Sequence, residues 1–503
     1  MIQSFFYTSE NKNLYIYDDQ SRLSMLAHPE LKKTSEKLTD VNSYYVKKYA
    51  YLKAHGFFTK SKPTEFAVLE ESIVEDNIKN IKQVVFEVTD SCNLSCTYCA
   101  FGELYDGYDE RISKKIDTHK AIHLLKFIFN HKPKKKNDKL EAEIKKELSK
   151  VRSNKVKPNY KKKMRKAVGG GEPLLNMTFI EQIVELSKEL NLTKQFDLEY
   201  TMTTNTTLLH KYMDFLVANN FRLLISLDGN EKCHSYRTFK KDNENSFQKV
   251  IENLNRLQKD YPDYFLKNIS FNAVLHDRNT IKEIYEFIYT RYNKIPRVSE
   301  LNTRHIRPCN KDRFNSMYHS VADSDSEFRK VNSELARLTH KNSLSYIELT
   351  NYLKYISINY YISNIRELLY SIEKQLPTST CTPFSKKVLL TNRNKLLPCE
   401  RIDYRYSMGK VDEDIEFNIP EITQQYNFYY KHIQKFCQTC YAYKYCGSCL
   451  FHIENIDKAN EEGFVCQYHQ NQKDFENSLR NIFTFLEKYP QDYAEIVKNV
   501  VIE

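Results

Sequence analysis

Between residues 82 and 310 the hydrophobic pattern switches period again and again, and this constrains the fold more than any other feature of the chain. The run "KQVVFEV" alternates Val84, Phe86 and Val88 as a strand, and "THKAIHLLKFIFN" then spaces its apolar residues as a helix. Helix "MTFIEQIVELSKEL", strand "FDLEYTMTT", helix "LLHKYMDFLVANN" and strand "FRLLISLDG" continue the series. Helix "SFQKVIENLNRLQ", strand "ISFNAVLHD", helix "TIKEIYEFIYTRY" and a last strand expected near "RHIRP" complete it. Strands separated by crossover helices pair in parallel. The expected fold is therefore α/β, a partial (β/α)6 barrel of TIM type. Its active site should form where the polar loops leave the carboxyl ends of the strands. Thr178 and Glu181 have capping-box spacing, which predicts a helix start there.

Around this barrel the pattern is less regular. Residues 1–80 mix short alternations ("NLYIYDD") with the helical "NSYYVKKYAYLKAHGFF" and read as a small α+β domain. Residues 81–310 hold the barrel, 311–375 a helical bridge, 376–475 a loop-rich, cysteine-rich domain, and 476–503 the end of an amphipathic helix, "FENSLRNIFTFLEKYP". The net charge of +11 is concentrated. Residues 131–166 carry 16 Lys or Arg against 4 Asp or Glu, which leaves −1 for the remainder. Such a run invites a nucleic-acid reading. On a near-neutral body it reads instead as a solvated insertion, with "EAEIKKELSKV" as an exposed helix and no nucleic-acid partner expected.

The chain starts "MIQSFFYTSENKN", without the basic and apolar segments of a secretory signal, and has no uncharged apolar run near the roughly 18 residues of a membrane span. A cytoplasmic protein without a membrane partner is expected. Its 12 cysteines then point to metal or cluster ligation, not to disulfides.

Three of them, Cys92, Cys96 and Cys99, stand in "DSCNLSCTYCAFG" directly after the first barrel strand, spaced Cys-x3-Cys-x2-Cys with Tyr98 before the third. A zinc site or loose thiols would satisfy the spacing alone. The context narrows it, because "GGGEPLL", "TTNTTLL" and "ISLDGNEKCHSYR" follow in order. Together these stretches resemble the radical S-adenosylmethionine (radical SAM) enzymes. In that family three thiolates hold a 4Fe–4S cluster, and its fourth iron chelates S-adenosylmethionine. Reductive C–S cleavage then yields a 5′-deoxyadenosyl radical that abstracts hydrogen. The resemblance makes Gly170, Gly171, Glu172 and Pro173 the turn that holds the methionine amino group, with Ser226 and Arg237 on its carboxylate or ribose and Tyr98 in the cofactor site. A low-potential electron donor of flavodoxin or ferredoxin type is implied. The chain departs from the family at Thr206, where Gly is usual, and at Asn230, where Pro is usual. "KKKMRKAV" also stands where an apolar strand belongs, so that strand is expected to be short or shifted.

Seven more cysteines lie at 381, 399, 437, 440, 446, 449 and 466, around the core "CQTCYAYKYCGSC". A zinc ribbon is one reading, although seven exceed one tetrahedral site and fall short of two. The arrangement also resembles the SPASM domain, the twin-cluster extension of radical SAM enzymes that modify peptides. It implies Cys381, Cys399 and Cys449 on one auxiliary cluster, with an iron left open, and Cys437, Cys440, Cys446 and Cys466 on a second. The family's Gly before the second cysteine is Asn394 here, and Asn tolerates positive φ. Glu400, beside Cys399, inherits the place of a proposed base in sulfatase-maturing relatives. Cys233 and Cys309 read as buried structural thiols, and His234 as a loop residue.

The layout resembles the maturases of ribosomally made precursor peptides, and the stretches "YMDFLVANNFRLLISLDGN" and "FNAVLHDRNTIKEIYEFI" are similar to a Bacteroidetes group of them. That resemblance implies hydrogen abstraction from a precursor peptide, followed by a crosslink or similar modification. In several such families a winged-helix-like N-terminal unit captures the leader peptide by strand addition. A formylglycine-generating sulfatase maturase is the alternative enzyme. A non-catalytic iron–sulfur protein that binds peptide or nucleic acid is the alternative of another class.

Overall fold

Three short strands open the chain in the computed structural model: β1 (Phe5–Thr8), β2 (Leu14–Asp18) and β3 (Leu23–Leu26), an antiparallel sheet in that order. The structure describes residues 3–58, 65–131, 163–192, 196–331, 333–356, 376–378, 381–443 and 446–498. Most of the lysine-rich run, its expected helix and the end of the 311–375 bridge lie outside these residues. The chain divides into two compact units, one of Met1–Leu69, Val331–Thr380 and Thr423–Glu503, the other of Glu70–Lys330 and Cys381–Ile422. The cysteine-rich stretch 376–475 is thus shared between them.

In the first unit, alternation decides what each strand buries. Phe5, Tyr7, Tyr15 and Tyr17 face one way and pack on Phe475, Leu479 and Phe483 of the helix Gln472–Lys488. That helix begins with a capping box, Asn471 with Asp474, so its register is set by side chains at its first turn. Ile16 on the opposite face packs with Leu31 and the half-buried Phe6 and Tyr45. The expected helix after the sheet is Ser43–Ala54, and none of its residues is buried.

The second unit contains the expected parallel sheet. Its strands are β4 (Gln83–Thr89), β5 (Lys163–Gly170), β6 (Asp197–Thr204), β7 (Arg222–Ser226), β8 (Ile269–Val274) and β9 (Arg297–Ser299). They lie side by side in chain order, all parallel, which is the six-unit partial barrel. The sequence did not predict two further strands: β10 (Lys387–Leu390), parallel to β4, and β11 (Leu396–Leu397), which turns back on it. A small hairpin, β12 (Gly409–Val411) and β13 (Ile415–Phe417), follows. Val84, Val85, Phe86 and Val88 are all buried, as crossover helices cover the outer face of a barrel strand and the barrel interior takes the other.

Three expectations are corrected. The last strand is Arg297–Ser299, upstream of "RHIRP", where Ile306 forms only a bridge to Tyr105. The helix after the glycine turn starts at Met177, so Thr178 lies inside it and forms no capping box. A 3-10 turn, Pro173–Asn176, capped by the Glu172 side chain, precedes that helix. Most instructively, β5 is a full eight-residue strand despite its basic sequence. Lys163 and Arg165 point outward to Glu199 of β6, at 2.9 and 3.0 Å. Lys166 points inward with its ammonium 4.8 Å from the Phe129 ring centroid and 6.0 Å from that of Tyr200. Charge pairing and cation–π contact thus replace apolar side chains. Among the described residues no helix is long and apolar enough to cross a membrane.

Candidate active site

The cysteine loop leaves the carboxyl end of β4, where a parallel barrel presents its chemistry. Cys92, Cys96 and Cys99 are all half-buried and lie within electrostatic reach of one another. Cys92 Sγ accepts from Leu94 N at 3.4 Å and from Asn205 Nδ2 at 3.7 Å, and Cys99 Sγ from Arg111 at 3.8 Å. Burial first, then the neighbouring thiols, push Cys96 up to about 12, against the pull of Arg237, and burial also raises Cys92. Three neighbouring thiols, of which burial holds Cys92 and Cys96 in their protonated form, are a poor arrangement without a cation. They suit a metal or cluster that expels those protons. The guanidinium groups of Arg237 near Cys96 and Arg111 on Cys99 further match an anionic cluster. The donor set fits iron–sulfur ligation.

The glycine turn is packed on this loop. Gly171 N donates to Thr89 O and Glu172 N to Ser91 O, both at 2.8 Å. A Cβ on Gly171 would lie 1.8 Å from Ser91 O. Gly170, at φ +113°, would put one 2.3 Å from Thr89 O. Both residues must therefore be glycine because the cysteine loop is so close. Glu172 is buried, and its carboxylate accepts from Thr204 Oγ1 (2.7 Å), Asn205 N (2.7 Å) and Leu174 N (3.1 Å). Burial nonetheless raises its pKa to about 7. Glu172 thus fastens the "TTNTT" turn, and Asn205 of that turn reaches Cys92. Pro173, buried, starts the 3-10 turn. Thr206 takes the usual glycine's left-handed conformation, φ +63°, while Asn253 Nδ2 holds its carbonyl at 2.7 Å.

Behind Cys96 stands a buried network that the sequence reading did not single out. Asp228 accepts from Arg237 Nε (2.8 Å) and its terminal nitrogen (3.0 Å), from Val274 N (2.9 Å) and from the Tyr98 hydroxyl. Burial works to raise the Asp228 pKa, but Arg237 holds it well below the usual carboxylate range. Arg237 is raised in turn by Asp228 against its own burial. The Tyr98 ring stacks on His276 at 5.4 Å, with the guanidinium 5.3 Å from its centroid. Arg237 and Tyr98, expected on the cofactor, are thus tied first to Asp228. The only signal for Asp228 in sequence was its place in "SLDG". Arg111 gave none. Ser226 ends β7, half-buried. His234 is buried beside Ser246 Oγ, 3.2 Å from Nε2, and burial lowers it to about 3, so its imidazole is neutral. Cys233 is buried as expected, whereas Cys309 is exposed, a correction: it lies on a 3-10 turn with no buried residue.

Of the later cysteines, four come together in the first unit. Cys437 is the last residue of the helix Ile419–Cys437, and after burial the charges acting on it are those of Cys446, Cys440 and Cys466. Burial also raises Cys440 and Cys466. Cys449 belongs to the same unit, and Cys381 (exposed) and Cys399 (half-buried) to the other. Asn394 adopts φ +63°, as its type allows. Both Glu400 oxygens accept from Lys387 Nζ, at 2.9 and 2.8 Å. Burial opposes this pair, but Lys387 wins and holds Glu400 below the usual range, which weakens it as a base.

Residues 86–288 match the Radical SAM superfamily. The cysteine-type anaerobic sulfatase-maturating enzyme of Clostridium novyi (strain NT) is 26% identical over 213 residues, 42% of this chain and 48% of that protein. The radical SAM cyclopropyl synthase TigE of Paramaledivibacter caminithermalis is 26% identical over 198 residues, 39% of this chain and 36% of that protein. The chain therefore matches about half, or less, of the length of these relatives. Native anSMEcpe with bound AdoMet and Cp18Cys peptide shares the fold at TM-score 0.50 and 15% identity, over 83% of this chain and 99% of that one. The superfamily match runs from β4 to the helix after β8, through the strands that carry the cysteine loop, the glycine turn and Asp228.

Proposed function

We propose that the protein is a radical SAM enzyme that modifies a ribosomally made peptide by hydrogen abstraction, leaving a crosslink or similar change. The observation that carries this is the packing of Cys92, Cys96 and Cys99 against Gly170–Glu172 at the carboxyl end of β4, with a second group of four cysteines in the other unit. When bound, a 4Fe–4S cluster with S-adenosylmethionine supplies one-electron cleavage and a hydrogen-abstracting radical. The chain's own part is to hold and orient. Cys92, Cys96 and Cys99 hold the cluster, and Glu172 and Asp228 fix the turns around it. The backbone of Gly170 and Gly171, Ser226 and the donors of Arg237 not spent on Asp228 would hold the polar end of the cofactor. Cys437, Cys440, Cys446 and Cys466 hold an auxiliary cluster. A low-potential flavodoxin or ferredoxin supplies electrons. The outer edge of β3 pairs with no strand among the described residues and carries Leu26 at 71% exposure. An extended leader peptide would add there as a fourth strand.

The test is anaerobic incubation of reconstituted protein with S-adenosylmethionine, reductant and the precursor peptide encoded beside the gene, read by mass spectrometry. The expected products are 5′-deoxyadenosine and a peptide lighter by two hydrogens. No 5′-deoxyadenosine at all would refute the enzymatic reading. The sulfatase-maturing alternative is not favoured, because the Lys387 ion pair weakens Glu400, the base it would need.

A further inference from the structure

The loops at the mouth of the sheet line an open cavity of about 580 Å³. Its wall comes from four places. Asp106, Tyr108 and Asp109 follow the cysteine loop of β4. His305 follows β9, Lys395 sits in the turn after β10, and Asp403–Arg405 follow β11. β9 and β11 are the two edges of the open sheet, so the cavity lies where the partial barrel would otherwise gape. His305 Nδ1 and Asp403 Oδ2 approach across it at 3.7 Å. Asp106 N to His305 O (3.0 Å) and Tyr404 N to Gly107 O (3.2 Å) fasten the same loops. The size falls within the roughly 300–1,000 Å³ of small-ligand sites and admits one side chain with its flanking backbone.

The cavity adjoins the radical site. Tyr108 packs on Phe101, two residues beyond Cys99, with centroids 4.5 Å apart, and on Tyr404 at 5.2 Å. After burial and Arg304, the charges of Cys399 and Cys99 both act on its hydroxyl. Arg304 does so from outside the wall.

The wall's charges do not cancel. Lys395 Nζ meets Asp109 Oδ1 at 2.7 Å, and Arg405 meets Asp403 at 3.4 Å. Asp106 is exposed, and its carboxylate pairs with no side chain among the described residues. Three carboxylates against one lysine and one arginine on the wall, and two phenol rings, together favour a cation that carries donors. We propose that this cavity seats a positively charged side chain, of lysine or arginine type, of the peptide substrate, with the exposed Asp106 carboxylate as its acceptor. The inference rests on the peptide-modifying reading above and names the substrate side chain that reading leaves open.

The test is saturation-transfer NMR on the full-length protein with acetyl-Gly-Lys-Gly-amide, its norleucine analogue and its glutamate analogue. The lysine peptide should give a signal about fivefold above the other two. Asp106→Asn should remove most of that preference, and Asp106→Lys should transfer it to the glutamate peptide. Asp106 is exposed and unpaired, so both variants should fold. Equal signals from the three peptides, or a lysine preference that survives both substitutions, would overturn the proposal. No S-adenosylmethionine is present, so a negative result leaves the 5′-deoxyadenosine test of the proposed function standing.

Discussion

Replacing Asp228 by Asn should destabilise the barrel more than any other isosteric change near the site. The carboxylate is fully buried and accepts both prongs of Arg237, together with Val274 N and the Tyr98 hydroxyl. Breaking a buried ion pair from one side costs about 3–5 kcal/mol, because the remaining charge stays out of water. Asn keeps an oxygen for Val274 N, so the lower end, about 3 kcal/mol, applies. At about 2–4 °C per kcal/mol the melting temperature falls by roughly 6–12 °C. The sign with pH follows from the lowered pKa of Asp228. Its stabilisation is complete above the ordinary aspartate value and is lost only as pH falls towards the depressed one. The penalty should therefore be the same at pH 6 and pH 8 in differential scanning calorimetry. Adding Arg237→Met should recover about half of it, since no charge is then stranded. A loss below about 1 kcal/mol, or no recovery in the double variant, would refute the assignment of this network as a buried, mutually dependent pair.

Three further outcomes follow from the same geometry. Gly171→Ala should displace the cysteine loop, since its Cβ would meet Ser91 O at 1.8 Å; iron bound per chain after reconstitution should fall, while the auxiliary cysteines keep theirs. Glu172 has a pKa of about 7, above its unfolded value, so the folded state holds the proton more tightly and stability declines as pH rises towards 7. Glu172→Gln should flatten the fall in urea-derived stability between pH 5 and 7.5 by about 2 kcal/mol, with Glu87, also raised to about 7 by burial, supplying the slope that remains. Lys387→Gln lets burial raise the Glu400 pKa, at a stability cost below about 1 kcal/mol. If Glu400 acts as a base, the acid limb of the pH–rate profile moves to higher pH; an unmoved limb removes it from the mechanism.

Local patterns carried far in this chain. Period-2 and period-3.6 runs identified β4, β6, β7 and β8 and their helices, because burial under crossover helices imposes those periods directly. The cysteine spacings and "GGGEP" were legible for the same kind of reason: short-range geometry demands those residue types whatever surrounds them. The sequence of β5 predicts a short or shifted strand because its lysines look wrong for a core. Their partners, Glu199, Phe129 and Tyr200, come from neighbouring elements that no local window contains. β10 and β11 were missed because a short strand far along the chain shows nothing of the edge it will join.

The sequence alone thus determined most of the barrel's strands and helices and the thiols available for a cluster, since each is written in spacings of a few residues. Tertiary structure decided what those groups lean on. Asp228 beneath Arg237 and Tyr98, the glycine turn against Ser91, and the cavity lined by His305 and Asp403 join residues between 9 and 130 positions apart. Such contacts follow from how the strands are stacked, and the pattern of any one segment does not encode its neighbour in space.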